Sequence, residues 1–174
     1  MRFVITGEWT RNRLLRVIVW CFLAYTFILW LTNFGLYFSK MNLHPSSVVE
    51  YYRGNEEKFL QPRSLLGLME QLHFHSFAMG ILLLTLTHLL LFVPLTPSTK
   101  AWGIGVSFVS ALSGEVSGWA VRFVHPGFAY LKVASFVTLQ GTLLWLMVCV
   151  AWALLARAPS TLARPGAPPT WPVE

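Results

Sequence analysis

Residues 64–94, SLLGLMEQLHFHSFAMGILLLTLTHLLLFVP, decide the fold. The stretch runs 31 residues with one acid, Glu70, and no Lys or Arg. About 20 apolar residues suffice to cross a bilayer. It therefore reads as a membrane span whose first turns rise beyond the hydrocarbon, with Ser64 as N-cap after Pro62. His73, His75 and His88 all lie in it, and His125 ends the next apolar stretch. Ionisable side chains inside a span are costly, which marks them as candidates for a functional site.

Working outward, three further stretches are long and apolar enough to span, near Leu14–Phe38, Lys100–Val124 and Tyr130–Leu155. The whole chain is 55% hydrophobic and 11% charged, where soluble domains carry about 25% charge. The expected fold is all-α, an integral membrane four-helix up-and-down bundle over residues 1–157. Residues 158–174, rich in Pro and Ala, read as a disordered tail. The first span is too long for a signal-peptide core and should stay as an anchor. Arg2, Arg11, Arg13 and Arg16 flank it and place the N-terminus in the cytoplasm. Four spans then return the C-terminus there, in the inner (cytoplasmic) membrane. The net charge of +6 flanks apolar spans, so it points to lipid headgroups rather than nucleic acid. Cys21 and Cys149 fall inside spans as small apolar residues.

The outer loop, residues 39–63, holds a short interfacial helix in this reading. Ser47 and Glu50 fit a capping box, Tyr51 and Tyr52 sit at headgroup level, and Gly54 stops the helix.

In an up-and-down bundle, Glu70, His73, His75, Glu115, Arg122, His125 and Gln140 fall toward one outer level. Helical phase at about 100° per residue puts Glu70 and His88 on one face, His73 about 60° away and His75 about 140° away. On the third span Ser110, Gly114 and Gly118 recur every fourth residue, a smooth groove with His125 beyond its outer end. Two imidazoles across small residues suit a haem b, whose iron takes one on each axial face. The favoured pair is His73 with His125, with Arg122 beside a propionate, His88 and His75 as further cofactor-binding candidates, and a quinone, in its reduced quinol form, as electron donor. The second chemistry is a non-haem metal site. Glu70-x-x-His73 has the spacing of helical carboxylate iron sites, completed by Glu115 and His125. Glu115 otherwise has Arg122, two turns on, as its natural partner.

The N-terminal Arg cluster, the ligand-free first span, the amphipathic loop and the His73–His88 spacing resemble small four-helix membrane-bound b-type cytochromes of bacterial respiratory chains. The resemblance implies an electron-transfer subunit passing electrons between quinol and a periplasmic carrier, within a larger membrane or periplasmic redox complex. Spans one and four lack the histidines of that pattern. A third reading is an accessory structural subunit. Hydrolase and nucleotide chemistry find no support, since the chain has no Asp and no phosphate-binding glycine loop.

Overall fold

A computed structural model describes residues 12–156. The Arg2 and Arg11 end of the N-terminal cluster and the expected tail at 158–174 lie outside the described residues. Five helices follow in order: α1 (Arg13–Lys40), α2 (Pro45–Arg53), α3 (Leu65–Leu90), α4 (Pro97–Phe123) and α5 (Phe128–Ala156). Four of them, α1, α3, α4 and α5, are long and apolar enough to cross a membrane. The all-α four-helix membrane bundle is the observed architecture.

Local chemistry sets the helix ends. Asn12 accepts from the Leu14 N–H, Ser64 from the Gly67 N–H and Thr96 from the Thr99 N–H, each side chain satisfying an orphan donor of a first turn. The expected span to Pro94 ends as a helix at Leu90. Residues 91–93 donate to carbonyls three residues back, a tightening consistent with the approach to Pro94. Lys100 Nζ donates to the Leu91 carbonyl at 2.6 Å and secures that turn.

The loop helix is present, but its start differs from the expected one. His44 is the N-cap and Pro45 opens the helix, because the fixed φ of proline suits a first helical turn. Ser47 Oγ instead accepts from the Asn42 N–H at 3.0 Å, and Glu50 takes Lys58 at 2.8 Å. That ammonium holds the Glu50 carboxyl below its usual range. Gly54 does end α2, at φ 83°. There a Cβ would meet the Leu60 carbonyl oxygen at 2.6 Å, so only glycine fits.

Helix α5 packs against each of the other four, and α4 is its most extensive partner. One core, including Leu82, Leu86, Leu146 and Val150, fills the end away from α2. The other, including Tyr37, Val48, Tyr52 and Val121, fills the α2 end. Tyr52 turns into the bundle: it is 1% exposed and its ring lies on Gly118. Phe74, Phe77, Leu84 and Val109 point outward and are exposed, as lipid-facing side chains do in a bundle apolar all round.

Between apolar helices in lipid, close packing of small residues replaces the hydrophobic drive. Gly103 lies under the Trp145 ring and Gly118 under Tyr52. An added Cβ at Gly118 would stand 2.8 Å from Tyr52 Oη and 2.9 Å from Cζ, and the buried ring has little room to retreat. Gly118→Ala should therefore cost about 1–3 kcal/mol, read as a lower thermal midpoint in detergent. Ala at Gly105, where nothing lies within 4 Å, should leave the midpoint unchanged.

Candidate functional site: a cavity between the spans

A cavity of about 530 Å³ lies between α1, α3, α4 and α5, with α2 at one end. That is within the range of small-molecule sites. Most of its wall is apolar, from residues such as Leu83, Phe108 and Leu139. Leu29, Leu36 and Leu112 line it and are also exposed, so the cavity is continuous with the lipid-facing surface.

Against that apolar wall stand a few polar groups. His75 Nδ1 lies 3.0 Å from Glu115 Oε1, within hydrogen-bond distance. The Glu115 side chain is 18% exposed and that of His75 50%, so the imidazole covers the carboxylate from the rim. Lys132 Nζ donates to the Gly114 carbonyl at 2.6 Å and stands 5.9 Å from the Tyr52 ring centroid. Among the described residues no ion pair joins Lys132 to Glu115, yet both line the same space. Burial raises the Tyr52 phenol above its usual range and keeps it neutral. Deeper in, Gln140 lines the cavity, and neither of its side-chain polar atoms has a hydrogen-bond partner among the described residues.

The sequence-derived candidates divide clearly. His75, expected to point away, is the histidine that lines the cavity; His73, His88 and His125 do not. The reason is helical phase. The buried face of α3 carries Leu68 and Leu82, each seven residues from His75, so all three share one stripe. His73 is exposed, its ring edge-on to Phe74 at 5.7 Å. His88 packs edge-on against Phe92 near the far end of α3. His125 lies in the α4–α5 turn, where its Nδ1 accepts from the Gly127 N–H at 3.0 Å. Glu70 is exposed.

Arg122 does not pair with Glu115 but donates from Nε to the Arg63 carbonyl at 3.1 Å. The Arg63 guanidinium bonds the Tyr51 hydroxyl and covers its ring. Among the described residues, no three His, Cys, Asp or Glu side chains converge on a metal-sized site, so Glu70, His73, Glu115 and His125 do not form one cluster. As a haem site the cavity offers a single imidazole. Sequence reasoning passed over Lys132, because a lysine in the second turn of a span reads as an interfacial flank.

Four membrane-length helices around a partly polar internal cavity define a multi-pass membrane protein of the helical-bundle class. More particularly, the chain belongs to the Aq_1264_TM family, described as a transmembrane helical domain, which matches residues 42–161. No curated protein and no solved structure matches the chain.

Lys132 is half-buried with a carbonyl for its hydrogen-bond partner, and replacing an ionisable group held among helices by apolar volume is often neutral or stabilising. Lys132→Met should leave the thermal midpoint in detergent unchanged or higher. A steep fall would mark Lys132 as a structural prop.

Proposed function

We propose that the cavity binds a lipid-soluble carrier of the quinone class and that the chain serves electron transfer as a subunit of a membrane redox complex. The observation that carries this reading is the His75–Glu115 pair set in an apolar cavity that opens toward lipid. A quinone has an apolar ring and tail, which suit the wall, and oxygen atoms that need donors, which Lys132 and His75 supply. Oxidation of the quinol releases two electrons and two protons. The His75–Glu115 pair is placed to take the protons one at a time, while the electrons leave to a one-electron carrier at the α2 end. On the Arg-cluster reading of topology, that end faces the periplasm and both termini the cytoplasm.

The test is equilibrium binding of a short-chain quinone to the purified protein in nanodiscs. Saturable binding is expected, weakened about tenfold or more by Glu115→Gln or by Lys132→Met, the scale of one hydrogen bond to a charged group. Partitioning without saturation, identical in all variants, removes the proposal.

The b-type haem between His73 and His125 stands as a separate proposal, carried by the sequence pattern. It predicts a reduced-minus-oxidised α-band that His73→Ala and His125→Ala each abolish and His44→Ala preserves. A purified chain without that band excludes it.

A further inference from the structure

The cavity has a second polar pole, and its chemistry narrows the ligand. Gln140 is 2% exposed, it lines the cavity, and among the described residues its Nε2 and Oε1 have no hydrogen-bond partner. It sits 12 residues into α5, roughly 18 Å along the axis, deep within the bundle. Its backbone is engaged independently: Trp30 Nε1 donates to the Gln140 carbonyl at 2.9 Å and holds α1 against α5. The side-chain amide takes no part in that contact. An unsatisfied buried donor or acceptor costs about 1–3 kcal/mol, and hydrocarbon offers it no water. Leucine would fill the same volume without that cost.

The position of Gln140 relative to the first pole follows from the helix register. Gly114 faces Ser135 across the α4–α5 contact, a Cβ there falling 3.8 Å from the Ser135 Cβ. Glu115 is therefore level with residue 134 of the antiparallel α5, six residues short of Gln140, or roughly 9 Å. Side chains tilt toward the N-terminus of their own helix. Because α4 and α5 run in opposite directions, the Glu115 carboxylate leans inward and the Gln140 amide leans back toward it.

We infer that Gln140 is a second ligand anchor and that the cavity takes a ring with oxygens at opposite ends, rather than an amphiphile with one polar head. The inference rests on the quinone reading and sharpens it. One oxygen lies at the His75–Glu115–Lys132 pole. The other accepts from Gln140 Nε2, or donates to Oε1 when reduced to a hydroxyl. The chain attached to the ring leaves sideways into lipid.

Two probes separate this from simpler occupancy: decylubiquinone, with opposed ring oxygens, and 4-decylphenol, with one. Binding to the full chain in nanodiscs is measured for the wild type, Gln140→Leu and Gln140→Asn. Gln140→Leu should lose about tenfold in affinity for the quinone and nothing for the phenol. It should also raise the thermal midpoint without ligand, and Gln140→Asn should fall between wild type and Leu. Quinone affinity unchanged in Gln140→Leu but still weakened by Glu115→Gln would overturn the second anchor and leave the proposed function standing. Equal losses for both probes would show a packing effect and overturn it too. If the wild type binds no quinone, both proposals fall.

Discussion

The bilayer interior supplies no water, so every polar group placed there must be satisfied by the protein. This chain meets that demand almost entirely within its own helices. Thr26, Thr85, Thr87, Ser107, Ser135 and Thr142 each return a hydroxyl to the carbonyl four residues earlier, at 2.6–2.8 Å. Such hydroxyls cost little in a span and carry no message about function. Against that background Glu115, Lys132 and Gln140 stand apart. One pairs with a neighbouring helix's imidazole, one with a neighbouring helix's carbonyl, and one with nothing among the described residues. All three line the same cavity.

The scaffold that holds them is centred on α5. Small residues on α4 let that pair approach closely, Gly103 beneath Trp145 and Gly114 beside Ser135. The same approach brings Lys132 within reach of the Gly114 carbonyl. Helix α2 closes one end with Val48 and Tyr52, both fully buried. The ring that fills the groove over Gly118 is thus a tyrosine from the loop, and not the imidazole of His125. The phenol aside, His75, Glu115 and Lys132 are the ionisable groups of the polar pole.

The spans were legible in the sequence because length and hydropathy alone decide them, and Ser64 because a capping hydroxyl before an apolar run is a local signal. The face of α3 was harder to read. In a helix apolar on all sides the lipid-facing and buried stripes look alike, so phase had to be taken from the polar residues. Anchoring it on Glu70 and His88 selected His73. The buried leucines at 68 and 82 select His75, yet nothing in composition separates them from exposed Leu66 or Leu84. Glu115 was legible as a mid-span carboxylate needing a partner. Its partner was not, because the choice between Arg122 on its own helix and His75 on another is a tertiary one. Lys132 looked like a topological flank until the α4–α5 register placed it over Gly114.

The family match sharpens the division of labour among the helices. It covers residues 42–161, and therefore α2 through α5, with His75, Glu115, Lys132 and Gln140 all inside it. Helix α1 precedes that segment and lines the cavity with the apolar Leu29 and Leu36 and the polar Asn33, Tyr37 and Lys40. Two side chains of α1 donate to carbonyls of α5, Arg16 to Leu154 at 3.4 Å and Trp30 to Gln140 at 2.9 Å. The Trp30 bond ties α1 to the residue whose side-chain amide has no partner among the described residues. A shift of α1 along α5 would strain the Trp30 contact and change the width of the cavity at its deep pole together. Two hydrogen bonds thus hold α1 along α5, and the one from Trp30 fixes the wall of the cavity at the level of Gln140.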